Sequence, residues 1–345
     1  MNIEPIPYEL PRNRAGLTDS MAETERWLTE HGKYKVSNLA TLVQAVICLG
    51  LFLALASVSA TTTHYALLVV TWPLQAFLLS GFLGASHDCV HRSHLSSPLA
   101  NRVAGAMWGS LTTVNFSLYR YFHLDHHRFV GTAEDTEPAG EFDSVIGYFK
   151  SLPTIYFFIA FWSMSLAALR GRFPHFVRNA QQRRAVLWDN AALLIWVICI
   201  AAFTVHYPRE IILGYFVPLI LFCPTVFIFS LPEHYGCEHS IDLTSNTRSI
   251  ISNRIISYLY WNGNYHAEHH VFPRLPSRAL PEAHRMCGSA FRYIGKSYFR
   301  FHVNLIQSLA AKGKEPLEAD GVKVLSPSER IHFHEIANPA ERMDK

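Results

Sequence analysis

Apolar residues in this chain come in long runs separated by short polar segments, and the lengths of the runs bound the fold class. Residues 39–60 are nearly uninterrupted apolar sequence, and residues 65–85 follow after the short turn Thr61-Thr62-Thr63-His64. Each is long enough to cross the roughly 30 Å hydrocarbon core of a bilayer as a helix. Pro73 and Gln75 interrupt the second run; a proline inside a span is tolerated in membranes and predicts a kink. Three further apolar runs lie at 148–169, 191–205 and 211–231, while 101–118 is only moderately apolar and reads as interfacial. The first 38 residues are polar, with Pro5, Pro7 and Pro11, and show no signal-peptide pattern. A short amphipathic helix is predicted there, near residues 21–31.

The polar segments between the runs carry histidines at helical spacing. His87 and His91 stand at i and i+4, with His94 three residues on. His123, His126 and His127 repeat the idea as H-x-x-H-H, and His266, His269 and His270 repeat it again, with His234 alone after the last run. On a helix, offsets of three and four fall on one face. Several neutral imidazoles converging on one point are hard to explain by packing and easy to explain by a transition metal.

If these clusters serve one site, the chain crosses the bilayer an even number of times between His127 and His234. Three apolar runs lie in that interval, so one of them does not cross. Arg170, Arg172, Arg178, Arg183 and Arg184 follow the first of these runs, which places that loop in the cytoplasm by the positive-inside rule. Lys150 and Pro153 mark the start of the same run. Residues 148–169 therefore read as re-entrant or interfacial. The expectation is an all-α integral membrane protein with four transmembrane helices in two hairpins, spanning 39–60, 65–85, 191–205 and 211–231. Both termini and a helical cap bearing the histidines then face the cytoplasm. Residues 1–38 form a lead-in, 39–285 the catalytic region, and 286–345 a basic tail with Phe291, Tyr298 and Phe301, read as a solvated surface helix, the alternatives being a tail that lies against anionic headgroups or caps the site.

Composition sharpens this picture. Half of the 345 residues are hydrophobic and 19 are histidines. The net charge of +3 is small, and no nucleic-acid partner is indicated. The six cysteines never form a C-x-x-C pair, which argues against a disulfide framework, a rubredoxin-like iron site or a zinc ribbon. The nine clustered histidines exceed the six or so ligands of one octahedral ion, so two ions fit better than one. Nearly all-imidazole ligation argues against calcium and magnesium, which want oxygen. Zinc enzymes typically use three protein ligands per ion. Iron fits best, as a pair with room for dioxygen, and copper is the chemical runner-up. Metals supply one-electron and O2 chemistry that side chains lack, which suits oxidation of unactivated C–H bonds in a lipid-soluble substrate. A histidine-rich transporter would instead place ionisable residues within the spans, and the runs are almost free of them.

HDCVH, HLDHH and NYHAEHH resemble the three histidine boxes of the membrane-bound fatty acid desaturase superfamily, which also contains hydroxylases and ketolases. The similarity runs from about residue 65 to about residue 285. It implies metal ligands at His87, His91, His123, His126, His127, His234, His266, His269 and His270, bound to two iron ions, with O2 as co-substrate. It further implies that Arg120 matches the family's basic residue before the second box, that Asp135 matches the aspartate of an acidic loop resembling 131–138, and that Thr247-Arg248 matches a Thr-Arg pair before the third box. The first box departs from the pattern as H-x-x-x-H-x-x-H, which leaves His94 outside the expected ligand set. No haem or rubredoxin domain is read in the chain, so electrons are expected from a separate ferredoxin, rubredoxin or cytochrome carrier and its reductase.

Asp88, Asp125, Glu233 and Glu268 adjoin ligands and are candidates to hold their outer N–H groups. Asn262 and Asn264 read as caps of the third-box helix. His239, His284, His302, His332 and His334 are expected to face solvent. The function expected is desaturation of a fatty acyl or related aliphatic chain. Hydroxylation or ketone formation on a hydrocarbon, lipid or carotenoid, and desaturation of a small polar metabolite, are the alternatives. A bacterial inner membrane is the expected location.

Overall fold

The computed structural model describes residues 17–137 and 142–311, so His332 and His334, the lead-in before Leu17 and the end of the acidic loop lie outside the described residues. Helix α1 (Asp19–Glu30) matches the amphipathic segment read from the sequence. The Thr18 hydroxyl caps its first turn by accepting from the Met21 amide, and its apolar stripe of Met21 and Leu28 is fully buried. That stripe packs in one cluster with Ala267, Leu280 and Ala283, which lie around the third histidine box.

Five stretches are long and apolar enough to cross a membrane: Asn38–Thr61, Tyr65–Val90, Val145–Leu169, Ala180–His206 and Pro208–His234. Helix α2 (Asn38–Thr61) leaves Leu39, Val46 and Leu53 exposed, as a lipid-facing helix does. Helix α3 (Leu68–Val90) is central and much more buried. It extends five residues past the expected end at 85, so that His87 rides on the helix and His91 closes it. At Gly81 a β-carbon would stand 2.2 Å from the Leu259 carbonyl oxygen, so only glycine allows this approach.

Helices α4 (Pro98–Leu111) and α5 (Phe116–Phe129) come next, each opened by a side-chain cap from Ser97 and Asn115. The apolar run after the acidic loop is not one helix. It splits into α6 (Val145–Ser151) and α7 (Ile155–Leu169) at Leu152–Thr154, where Pro153 removes an amide and Thr154 adopts φ 51°. Helix α8 (Ala180–His206) begins eleven residues earlier than the apolar run, because the Asn179–Gln182 capping box starts it in polar sequence. Arg183 and Arg184 therefore lie on its first turns and not in a loop.

A short α9 (Pro208–Ile211) leads through a π-helical turn, Ile212–Phe216, into α10 (Val217–His234). A π turn loosens the backbone ladder, and here two side chains from α3 take up its carbonyls. Trp72 Nε1 donates to Leu213 O at 2.9 Å and Gln75 Nε2 to Gly214 O at 2.8 Å. The Gln75 carbonyl accepts from Ser59 at 2.9 Å. The polar interruption in the second span is thus a satisfied structural contact.

The remainder forms a cap: β1 (Arg248–Ile250), α11 (Arg254–Leu259), α12 (His266–Val271), α13 (Leu280–Cys287), β2 (Tyr293–Gly295) and α14 (Tyr298–Ala310). The protein is mostly helical, but β1 and β2 pair in parallel, a feature absent from the all-α expectation. The tail departs further from a solvated helix. In α14, Tyr298, Phe301, His302, Leu305 and Leu309 are buried, and Phe301, Leu305 and Leu309 pack with Tyr148 of α6 and with Phe227 and Leu231 of α10.

Candidate metal centre

Each histidine cluster owes its place to a helix end. Helix α3 presents His87 and then His91, after which Arg92 at φ 58° turns the chain away. Helix α5 carries His123, His126 and His127 on its last turns, and His234 is the last residue of α10. Helix α12 is only six residues long, too short to be stable alone. Neighbours hold it: the Ser249 hydroxyl accepts from the Ala267 amide at 3.0 Å, and Ile250 exchanges bonds with Asn264. Trp261 and Asn262, both at φ 52°, make the bend that aims α12 inward.

All nine histidines meet, in two sets. His87, His91, His123, His127 and His269 form one, and His126, His234, His266 and His270 the other, with ligand atoms within 4.8 Å of one another in each. The sets adjoin, since the rings of His127 and His270 stack 4.2 Å apart. His94 joins neither; it is buried beside Trp261 and 4.0 Å from Asp88.

The donor geometry fits metal ions. Nε2 of His127 is 3.0 Å from that of His123 and 3.1 Å from that of His269. Nε2 of His266 is 3.0 Å from those of both His234 and His270. Two nitrogens bound cis on an octahedral ion with bonds near 2.1 Å lie about 3.0 Å apart. Hydrogen bonds account for these contacts poorly. His123 Nδ1 faces Glu137 at 2.9 Å, His126 Nδ1 faces Asp135 at 2.7 Å, and His234 Nδ1 faces the Asn246 carbonyl at 3.2 Å. Those acceptors assign the ring proton to Nδ1, which leaves each Nε2 a lone pair directed inward. The buried Nε2 atoms of His87 and His126 have no hydrogen-bond partner.

Electrostatics agree. Burial, reinforced by neighbouring imidazoles, holds His91, His123, His127, His266, His269 and His270 well below the usual histidine pKa. They are neutral near pH 7 and available as ligands. Burial also disfavours charge on His126, but the Asp135 carboxylate outweighs it and raises that pKa.

The residues expected around the ligands divide. Asp135 holds His126, and Glu233 lies 3.7 Å from His266 Nδ1. Asp88 stands 3.8 Å from His87 Nδ1. Asp125, by contrast, points away from the cluster and takes both its bonds from Arg178, at 2.6 and 2.8 Å. Glu268 is buried but touches no ligand ring: it accepts from Ser249 and His284, each at 2.5 Å. Asn264 does not cap α12, because its amide is spent on Ile250 O. Arg120 holds no histidine, and burial lowers its pKa to about 10.

Two histidines expected in solvent are structural. His302 is buried between the Tyr148 hydroxyl and the Ile228 carbonyl, each at 2.9 Å, and His284 pairs with Glu268. His239 is exposed. Glu137 was not foreseen, although its place two residues after Asp135 in an acidic loop was a usable signal. Arg248 has a role beyond its pairing with Thr247. It is fully buried and donates from Nη1 to Pro232 O at 2.6 Å and Tyr235 O at 2.8 Å, pinning the end of α10 on either side of His234.

A buried cluster of imidazole donors, set beside helices long and apolar enough to cross a membrane, is the pattern of a metal-binding membrane protein. A family model described as fatty acid desaturase matches residues 62–302. The chain belongs to that family, and it is an oxidoreductase. It is 25% identical over 314 residues to a Delta(12) acyl-lipid conjugase (11E,13E-forming) of Momordica charantia, covering 79% of this chain and 76% of the relative. An acyl-lipid omega-3 desaturase (cytochrome b5) of the endoplasmic reticulum of Arabidopsis thaliana is 22% identical over 317 residues, covering 82% and 80%. A sphingolipid delta(4)-desaturase of the same plant is 22% identical over 233 residues, covering 65% and 64%.

Proposed function

We propose that the two imidazole sets each hold one iron ion and that the enzyme uses O2 to place a C=C bond in the aliphatic chain of a lipid. The nine histidines are the ligands in this reading. The observation that carries it is the division of their donor atoms into adjoining groups of five and four. Iron suits the nitrogen-rich set and, when bound, supplies the O2-dependent one-electron chemistry that breaks an unactivated C–H bond. The reaction balances as one CH2–CH2 unit, one O2, two electrons and two protons giving CH=CH and two waters. The electrons come from a separate one-electron carrier, a reading supported by the cytochrome b5 named with the Arabidopsis relative.

The chain's own residues hold and orient. Asp135 and Glu137 fix the ring proton of His126 and His123 on Nδ1, Arg248 fixes the end of α10, and Ser249 fixes α12. Burial of most of the cluster keeps bulk water from the reacting carbon, with His87 and His234 partly exposed at its edge. Four crossings with the centre on the cytoplasmic side agree with His127 and His234 meeting in one cluster, since an odd number of crossings between them would separate the two. The break at Leu152–Thr154 supports α6–α7 as the segment that does not cross.

Lipid profiling of cells with and without the chain tests this. Loss of two hydrogens from a chain-bearing lipid, dependent on O2, is expected; a gain of oxygen with no hydrogen-pair loss would contradict it.

A further inference from the structure

Helix α10 ends on His234, yet two residues earlier it contains Pro232. A proline has no N–H, and its ring crowds the carbonyl four residues before it, so a helix bends or breaks there. In α10 that carbonyl belongs to Ile228. Left unpaired away from water, it would carry the cost of an unsatisfied acceptor. The last turn, with His234 on it, would then hang from the rest of α10 by fewer bonds than a regular helix provides.

The missing donor comes from the cap. His302 of α14 directs Nε2 at the Ile228 carbonyl oxygen from 2.9 Å, and the Tyr148 hydroxyl of α6 stands 2.9 Å from its Nδ1. A carbonyl only accepts, so Nε2 carries the ring proton and Nδ1 accepts from the tyrosine. Burial holds the His302 pKa below the ordinary histidine value and keeps the ring neutral. The ring has little room to turn: Phe227 of α10 lies along it with centres 6.3 Å apart, and Tyr148 meets it at 5.9 Å. Phe301, the residue before it, backs the Arg248 guanidinium at 5.1 Å, and Arg248 donates to Pro232 O and Tyr235 O. Helix α14 therefore bears on both sides of the proline, directly at Ile228 and through Arg248 beyond it.

We propose that His302 is a positioning residue for the metal centre: it supplies the hydrogen bond that Pro232 removes, and so holds the last turn of α10 with His234 facing His266. The Nε2 atoms of that pair are 3.0 Å apart. Tyr148 fixes the tautomer in which His302 donates. His234 depends on its backbone more than its neighbours do. Its Nδ1 contact, to Asn246 O at 3.2 Å, is longer than those of His123 and His126 to carboxylates, at 2.9 and 2.7 Å, and a neutral carbonyl accepts more weakly than a carboxylate. The inference rests on the two-metal reading above and deepens it. His302 serves the four-histidine set alone, because the five-histidine set draws no ligand from α10.

The test uses the full chain in lipid nanodiscs and two variants: His302→Leu, which keeps bulk and loses the donor, and His302→Gln, whose amide N–H can reach the same carbonyl. Iron affinity is read by competition with a chelator. In His302→Leu one of the two ions should bind about 10–100-fold less tightly, the usual cost of disturbing the support of a ligand, while the other binds as in the parent. His302→Gln should recover most of that loss. In a His234→Ala background His302→Leu should bring no further loss, since both changes act on one ligand. Equal weakening of both ions, the result of a generally loosened fold, would overturn the proposal, as would a further loss in the His234→Ala background. Should His302→Leu fold poorly, Tyr148→Phe gives the same reading with a smaller loss, and two unchanged affinities there would also overturn it.

Amide hydrogen exchange on the metal-free chain separates this inference from the reading beneath it. Exchange at residues 233–235 should run roughly ten-fold faster in His302→Leu, the worth of one net hydrogen bond. Faster exchange in a chain whose parent takes up fewer than two ions would sink the two-metal centre and keep the brace. Two ions in the parent, with exchange and affinities unmoved by His302→Leu, would do the reverse.

Discussion

Replacing Arg248 with methionine keeps the length of its stem and removes the guanidinium that joins α10 to the cap. The Pro232 and Tyr235 carbonyls lose a charged donor at 2.6 and 2.8 Å. Hydrogen bonds to charged groups contribute about 1.5–3 kcal/mol each. The guanidinium also sits 5.4 Å over Tyr293 and 5.1 Å over Phe301, contacts that contribute up to about 2 kcal/mol when desolvated. Against this, a buried charge no longer has to be desolvated, which returns part of the loss. The net cost is about 3 kcal/mol, or roughly 6–12 °C in Tm at 2–4 °C per kcal/mol for a chain of this order of size. The functional cost is separate. His234 lies between the two anchored carbonyls, so its ring is freed and the four-histidine set weakens. Disturbing the support of a metal ligand typically costs about 10–100-fold in affinity or activity. Differential scanning fluorimetry in detergent reads the first effect, and metal content with turnover reads the second. A variant that melts within about 2 °C of the parent, with unchanged metal content, would refute the reasoning. Arg248→Lys should recover only part of either loss, because an ammonium cannot stack on Tyr293 and Phe301 as a planar guanidinium does.

Three further outcomes are expected. Asp135→Asn and Glu137→Gln should each lower metal affinity about 10–100-fold by releasing His126 and His123, read by competition with a chelator; no change in either would remove the carboxylates from the account. Gly131→Ala should destabilise the loop that carries them, since Gly131 has φ +75° and its β-carbon would stand 1.9 Å from Ser240 O. Proteolysis at that loop should accelerate, and a variant as resistant as the parent would contradict the packing. Arg178→Ala should cost no more than about 1 kcal/mol and leave metal content alone, because its ion pair with Asp125 is partly exposed on the arginine side and turned away from the histidines; a loss of metal would show that Asp125 supports the site after all.

The histidine sets were legible in the sequence because helical spacing constrains where imidazoles point. The apolar helices were legible because their runs are long and nearly free of charge, although their ends were not: α3 and α8 extend into polar sequence under local caps and ligands that hydropathy does not register. Asp135 was reached by resemblance, but Glu137 was not: its place two residues on in the same acidic loop was the only signal, and a loop has no periodicity to show which way a carboxylate points. Asp125 shows the converse. It sits between two ligand histidines in sequence, yet on a helix adjacent residues face apart, and it turns to Arg178. His302 misled, and the anchoring role of Arg248 went unread, for one reason: both are polar residues buried by partners distant in sequence, Tyr148 and the end of α10. The β1–β2 pair is three residues long, too short to leave a pattern.

The central claim is tested most directly by metal analysis of the purified full chain, with His234→Ala and His91→Ala beside it. The account predicts about two irons per chain in the parent, since nine nitrogens exceed what one ion takes. His234→Ala strips the smaller set to three nitrogens and should fall toward one iron, while His91→Ala leaves four in the larger set and should retain more. A parent that binds one ion, or zinc in place of iron under iron-replete growth, would contradict it.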